Sequence, residues 1–166
     1  MSEIVVPDVL GEIVGWRAWR VVGNPKFPLL GSVSHTSTLW HPDRWTLATC
    51  GGADTCHRAV GADRRIPGES CTCGMYAAKS REQLVSLGYN READPLHPVF
   101  IGEVGLVGKV IPGKQGWRAE KGRVVRLYVP FHRYEWVEAL ESLYQVPVLL
   151  TNTASVDAPA YGAEGV

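Results

Sequence analysis

All four cysteines of this 166-residue chain lie within 24 consecutive positions, and a histidine lies among them. The cysteines are Cys50, Cys56, Cys71 and Cys73, and the histidine is His57. Thiolate sulfur and imidazole nitrogen are preferred ligands of tetrahedral zinc, and clustered cysteines in a reducing compartment are more typical of metal sites than of disulfides. The cluster therefore predicts a zinc ion that staples the polar, glycine-rich segment 51–70 to the rest of the fold.

A tetrahedral site takes four ligands, so the five candidates leave a choice. Cys56 and His57 are adjacent, and both would bind one ion only with strain. The preferred set is Cys50, His57, Cys71 and Cys73, and the alternative replaces His57 with Cys56. A closed site of four protein ligands leaves no position for a catalytic water, so this zinc would be structural and its binding free energy would become folding free energy.

Two other interpretations of the cysteines stay open. The thiols could be free, with His57 a solvated loop residue. A cysteine could instead act as a nucleophile beside His57 or His35, as in Cys–His hydrolases, which need an activated thiolate and a third orienting group. No family signature for such a nucleophile surrounds any of the four cysteines.

Composition limits the class of protein. Basic and acidic residues number 17 each, so the formal net charge is zero, and the chain lacks the basic field of a protein that binds nucleic acid mainly through phosphates. The sequence shows neither a signal peptide nor an apolar run long enough to span a membrane, which predicts a cytoplasmic protein. We expect an N-terminal extension over residues 1–12, one α+β domain over 13–151 and a disordered tail over 152–166.

Local patterns predict six strands and two helices. Ser80 and Gln83 fit a capping box at the start of a short helix, and residues 132–144 carry apolar side chains at helical spacing. Glycines at every third position, from Gly102 to Gly108, predict a bent strand. Residues 24–31, with two prolines and a glycine, predict a loop. The predicted strands cover residues 13–22, 45–50, 74–78, 99–111, 117–129 and 146–151. We therefore expect an α+β fold: a small, bent, partly open β-barrel with two flanking helices.

Six tryptophans are many for a chain of this length, and three of them precede arginines in predicted strands. Tryptophan offers a flat face that stacks on a base, and arginine a planar fork that matches phosphate or carboxylate. Most of the tryptophans are expected to fill the core. The candidate ligand-binding residues are Arg17, Trp19, Trp117 and Arg118, with Trp19 favoured because it lies opposite the apolar face of its strand.

The chain carries a set of short motifs: Gly15-Trp16-Arg17-Ala18-Trp19-Arg20, Cys50, His57, Cys71-Thr72-Cys73-Gly74-Met75-Tyr76-Ala77, Gly102-Glu103-Val104 and Gly116-Trp117-Arg118-Ala119-Glu120. Together these motifs resemble an uncharacterised family of small proteins from actinobacteria and their phages, across about residues 13–150. In that family pattern the equivalents of Cys50, His57, Cys71 and Cys73 recur and that of Cys56 does not, which implies the preferred ligand set; no activity is implied. The order of strands and helices is also similar to that of PUA-like barrels, some of which read modified bases.

These observations predict a non-enzymatic, zinc-stabilised binding module that recognises a nucleotide-like or modified-base ligand through tryptophan and arginine side chains. One alternative is a small phage or bacterial regulator that acts by binding another protein. The other is a Cys–His hydrolase.

Overall fold

The structure, a computed structural model, describes residues 11–34, 38–50, 65–68, 71–90 and 94–152. The described part is a mixed α+β fold dominated by one eight-stranded sheet. The strands are β1 (Ile13–Asn24), β2 (Phe27–Ser32), β3 (Leu39–Trp40), β4 (Thr46–Leu47), β5 (Met75–Ala78), β6 (Val99–Pro112), β7 (Gly116–Pro130) and β8 (Val148–Thr151). The helices are α1 (Arg81–Ser86), a 3₁₀ segment (Phe131–Trp136) and α2 (Val137–Tyr144).

Four strands of the sheet form a closed ring. β1 pairs with β6, β6 with β7 and β7 with β5, all antiparallel, and β5 returns to β1 through the pair Trp16–Ala78. β2 and β3 extend the sheet from β1, and β8 lies parallel to β7. Two register shifts interrupt the β6–β7 ladder, between Glu103 and Val104 and between Val107 and Val110. They fall in the glycine-rich stretch where the sequence predicts a bend, since bulges bend and twist a strand.

The main core lies on the side of β1 that carries Trp19 and Val21. Helix α2 closes this core, and its Tyr144 hydroxyl joins the helix to the β2–β3 hairpin. That hydroxyl donates to the Trp40 carbonyl and accepts from the Leu30 amide, both at 2.8 Å. A smaller cluster, formed by Ala18, Leu84 and Ile101, packs under α1 on the other side of β1. The main cluster consists of Trp19, Val21, Leu30, Trp40, Met75, Ala77, Phe100, Val104, Leu106, Val110, Ala119, Val124, Leu127, Val129, Trp136, Leu140, Tyr144 and Val148.

The predicted loop over residues 24–31 is wrong, because most of it is strand β2. Asn24 makes the turn, with its Oδ1 accepting from the amides of Lys26 and Phe27 at 2.9 and 3.2 Å. Pairing with β1 then outweighs the local preference of proline for irregular backbone. The two-residue strand β3 was not predicted either. It forms by pairing with Leu30 and Gly31 of β2, and the residues around β3 do not indicate this pairing.

The helices agree more closely with the sequence. The capping box of α1 is confirmed: Ser80 Oγ accepts from the Gln83 amide, and Gln83 Oε1 accepts from the Ser80 amide. The predicted helix over 132–144 divides into the 3₁₀ segment and α2, with non-helical backbone at Arg133. No helix in the described ranges is long and apolar enough to cross a membrane. The predicted tail beyond Asn152 and the extension before Gly11 lie outside the described residues.

Candidate metal centre and ligand cavity

β4 and β5 follow one another along the same edge of β7. Thr46 and Leu47 pair with Gly122 and Lys121, and the Ala48 amide then donates to the Glu120 carbonyl at 2.8 Å. The next position of β7, Ala119, pairs with Met75. The chain therefore leaves β7 after Ala48 and returns one residue further along. The outgoing and returning parts of the chain thus meet at one point of the sheet, and we call that point the neck.

Three cysteines meet at the neck. Cys50 lies on the outgoing side, Cys71 and Cys73 lie on the returning side, and their three sulfur atoms lie within 4.8 Å of one another. Cys71 is buried, and Cys50 and Cys73 are half-buried. The Cys73 amide donates to Cys71 Sγ at 3.3 Å. These three sulfur atoms are close enough to one another to hold a metal ion, as the sequence predicts.

Metal binding at the neck also depends on a fourth ligand and on the redox state of Cys71. His57 and Cys56 both lie outside the described residues, so the choice between them stays a prediction. Cys50 and Cys73 are free thiols, whereas Cys71 is joined in a disulfide. A sulfur in a disulfide is not a thiolate ligand, so a metal at the neck requires Cys71 in its reduced form.

Arg118 holds the returning segment in place. Its Nη1 donates to the carbonyl oxygens of Gly68 at 3.3 Å, Cys73 at 2.9 Å and Cys71. The sequence singled out Arg118 as a ligand contact, but these bonds direct its Nη1 at the backbone around two of the cysteines. Arg118 is therefore a positioning residue for the sulfur cluster, although it also lines the cavity described below.

The returning segment is anchored to β7 a second time through Glu120. Arg65 Nη2 lies 2.6 Å from Glu120 Oε2, and the Lys109 amide donates to the same oxygen at 3.0 Å. Burial disfavours the charged carboxylate, but the hydrogen bonds from Lys109 and Arg65 outweigh it and lower the pKa of Glu120. Gly74 then turns the chain into β5 with φ +124°, and a Cβ there would approach Pro67 Cβ to 3.0 Å.

A cavity of about 1090 Å³ adjoins the neck, and Cys73 lies in its wall. β5 forms one side of this cavity, and its walls include the aromatic rings of Trp16, Tyr76 and Trp117. The described lining residues include two arginines, Arg17 and Arg118, and no aspartate or glutamate. The cavity is therefore suited to a ligand that combines a flat ring with negative charge.

Arg17 lies where one edge of β1 changes partners. On that edge Trp16 pairs with β5 and Trp19 with β2, which leaves Arg17 at the gap between these two strands. Its Nη1 donates to the Tyr76 carbonyl at 2.5 Å, and its Nη2 donates to Ser32 Oγ at 3.2 Å. Burial lowers the pKa of Arg17 to about 10, with the nearby Tyr89 phenol opposing that shift, so the guanidinium is charged at neutral pH.

Two tryptophans that the sequence singled out have different surroundings. Trp19 is fully buried and packs edge-on against Trp40, with ring centroids 5.3 Å apart. The prediction that Trp19 lies opposite the apolar face is wrong, because that side of β1 faces the main core, and no solvent-borne ligand reaches the ring. Trp117 is half-buried and lines the cavity, with Lys79 Nζ 6.0 Å from its ring centroid.

The sequence missed Ser32 and Tyr76 as neighbours of Arg17. Ser32 reaches the site through the β1–β2 pairing, and Tyr76 does so through β5. Both contacts join residues distant in sequence, and no local motif indicates them. Ser32 directly follows the predicted loop over residues 24–31, and its surroundings in the sequence gave no signal of this kind.

No protein-family model matches the chain, and no curated protein or solved structure matches it. The resemblance to small actinobacterial and phage proteins and the similarity to PUA-like barrels therefore stay predictions from the sequence.

Proposed function

We propose that this protein is a non-enzymatic, zinc-stabilised binding module whose cavity takes a nucleotide-like ligand. The observation that carries the proposal is a cavity that combines the charged Arg17 with the rings of Trp16, Tyr76 and Trp117 and has no acidic side chain among its described lining residues. Aromatic faces stack on a base, and a guanidinium pairs with a phosphate or another anionic group. A nucleotide carries both groups.

Zinc is the metal proposed for the neck, with Cys50, His57, Cys71 and Cys73 as its ligands. Three sulfurs favour zinc or another thiophilic metal over magnesium or calcium, which prefer oxygen. An ion bound there closes a loop of 22 residues from Cys50 to Cys71. Cross-linking a loop of that length stabilises a fold by about 3 kcal/mol through the entropy of the unfolded chain.

The ring of four strands is, in this proposal, the partly open barrel of PUA-like type expected from the sequence. Beside this ring, β1 changes its partner from β5 to β2, and we call the gap between those two strands, where Arg17 lies, the seam. The proposal thus places the ligand at an interruption of backbone pairing, where side chains from several strands converge on one space.

Elemental analysis tests the metal part of the proposal. Protein purified under reducing conditions and without chelators should carry one zinc ion per chain. Cobalt substitution should then give the intense visible absorption of a tetrahedral thiolate site. Protein that is metal-free although its thiols are reduced would overturn the zinc assignment.

A melting screen with nucleosides and nucleotides tests the ligand part. A ligand at a hundredfold excess over its dissociation constant stabilises the folded state by about 2.7 kcal/mol. Trp117→Leu should abolish the gain, because Trp117 lines the cavity. Trp45→Leu is the matched control, since Trp45 packs under Arg123, with 5.3 Å to its centroid, and is not among the lining residues. A screen in which no nucleoside or nucleotide raises the melting temperature would reject the ligand class.

A further inference from the structure

Arg17 carries a charge that the described protein does not neutralise. Its contacts are a carbonyl oxygen, the Ser32 hydroxyl and the ring of Trp40, whose centroid lies 5.0 Å from the guanidinium carbon. Its Nε is buried and has no hydrogen-bond partner. A charge that is removed from water without a counter-charge lowers the stability of the fold. An anion bound beside Arg17 would therefore be favourable.

Several other arginines in the described ranges have a carboxylate partner. Arg65 pairs with Glu120, Arg123 with Glu12 and Arg126 with Glu103. These pairs lie on more exposed surface, where an arginine without a carboxylate partner would lower the stability of the fold only slightly. Arg17, in contrast, has no carboxylate among its described contacts, and it faces a cavity.

Ser32 supplies a second group for the same anion. Its Oγ accepts from Arg17 Nη2 at 3.2 Å and from Trp40 Nε1 at 3.3 Å, which occupies both lone pairs of the hydroxyl oxygen. The hydroxyl proton remains, and within the described residues it has no acceptor. Ser32 is buried and lines the cavity beside Arg17, so its O–H and the guanidinium N–H groups can converge on one oxyanion.

We propose that Arg17 and Ser32 form an oxyanion subsite that receives the phosphate of a nucleotide at the seam between β2 and β5. The inference rests on the proposed function and narrows its ligand class: the ligand is a phosphate-bearing nucleotide and not a free base or nucleoside. A phosphate offers the planar pair of oxygens that the arginine fork matches and a further oxygen for the serine proton.

Calorimetric titration of the reduced, zinc-loaded full chain tests this subsite. The probes are the four common ribonucleoside 5′-monophosphates, the matching nucleosides and inorganic phosphate. At least one monophosphate should bind about tenfold or more tightly than its nucleoside, since hydrogen bonds to charged groups contribute about 1.5–3 kcal/mol. Arg17→Gln should reduce that ratio to near one, Ser32→Ala should reduce it severalfold, and Arg17→Lys should retain part of it.

Arg20→Gln is the matched control. Arg20 lies on the same strand with a similarly half-buried side chain, but it is not among the described residues of the cavity wall. Its replacement should leave the ratio of monophosphate to nucleoside affinity unchanged. An equal loss in Arg20→Gln and Arg17→Gln would show a general effect on the fold and would overturn the subsite.

The outcomes separate this inference from the proposed function. Nucleosides that bind as tightly as their monophosphates overturn the subsite and leave the function in place. Binding of inorganic phosphate alone, lost in Arg17→Gln, supports the subsite and rejects the nucleotide-like ligand. Absence of binding by every probe overturns both.

A measurement on the wild-type chain covers the case in which Arg17→Gln does not fold. The Nε–H resonance of Arg17 in a ¹⁵N-labelled sample should shift on addition of the tightest monophosphate or of inorganic phosphate. The resonance of Arg20 should not move. An unshifted Arg17 resonance at saturating probe overturns the subsite without any substitution.

Discussion

Ala48 and Met75 are 27 residues apart in the sequence, yet they occupy neighbouring positions along one edge of β7. The Ala48 amide bonds to Glu120, and Met75 pairs with Ala119. Cys50 lies two residues beyond the first anchor, and Cys73 lies two residues before the second. The sulfur cluster therefore lies at the neck, where a cross-link joins the outgoing and returning parts of the chain.

Loss of one sulfur should destabilise the protein. Cys71→Ser removes the central thiol of the neck, and we expect a loss of about 3 kcal/mol from loop closure. For a chain of this size that corresponds to a fall of about 6–12 °C in melting temperature, measured by calorimetry in reducing buffer. Chelation of the wild-type protein should give a similar fall. Chelation should not alter the melting of Cys71→Ser, and a further fall there would contradict the assignment.

Oxidation should compete with the metal for Cys71. Diamide takes up two electrons as two thiolates form a disulfide, and a sulfur so bonded no longer ligates. We expect release of zinc, measured with a chromogenic chelator, and its return after reduction. Zinc that stays bound while thiol titration shows the cysteines oxidised would place the metal elsewhere.

Arg118→Met should weaken metal binding although Arg118 contacts no sulfur. Nη1 holds three carbonyl groups around Cys71 and Cys73, and loss of groups that orient ligands typically costs 10–100-fold in metal affinity. Competition with a chelator of known affinity measures the change. Arg123→Met, which removes an exposed ion pair with Glu12, is the control and should leave the affinity unchanged.

Tyr144→Phe should destabilise the core at neutral pH. Without the hydroxyl, the Leu30 amide and the Trp40 carbonyl lose a buried partner, at a cost on the order of 2 kcal/mol in urea unfolding. Burial raises the pKa of Tyr144 to about 12, against the Leu30 hydrogen bond, which lowers it. The neutral phenol is therefore favoured in the folded state, and its contribution is lost as pH rises from about 10 to 12. Tyr144→Phe should lack that part of the alkaline decline, and an identical decline in both proteins would contradict the pKa shift.

Gly116→Ala should disrupt the start of β7. A Cβ there would lie 2.0 Å from the Ala77 carbonyl oxygen, so β5 and β7 could not keep their spacing. We expect a loss of more than about 2 kcal/mol, since backbone gives way less readily than a side chain. Gly113→Ala, in the same hairpin, meets its nearest atom at an ordinary 3.4 Å and should change stability little.

Local chemistry explains which parts of the fold could be predicted. The α1 capping box depends on Ser80 and Gln83, three residues apart, and the β6–β7 hairpin depends on strand patterns on both sides of one turn. Strand β2 was missed because Pro25, Pro28 and Gly31 are strong local signals for a loop, while pairing with β1 decides the conformation of the strand. Trp19 was misplaced for a related reason: both faces of β1 are covered, so alternation along one strand does not tell which face is the main core.

The sequence by itself indicated the three sulfurs of the candidate metal centre, because cysteines within 24 positions can meet in many folds. It also determined that an arginine directly follows a tryptophan on each of the strands that became β1 and β7. Only the tertiary structure decided that β4 and β5 meet end to end on β7, and that Arg17 lies beside Ser32 and Tyr76 at the seam. Those positions depend on pairing between strands that are distant from one another in the sequence. Backbone hydrogen bonds form this pairing, and the local order of side chains does not indicate which strands will pair.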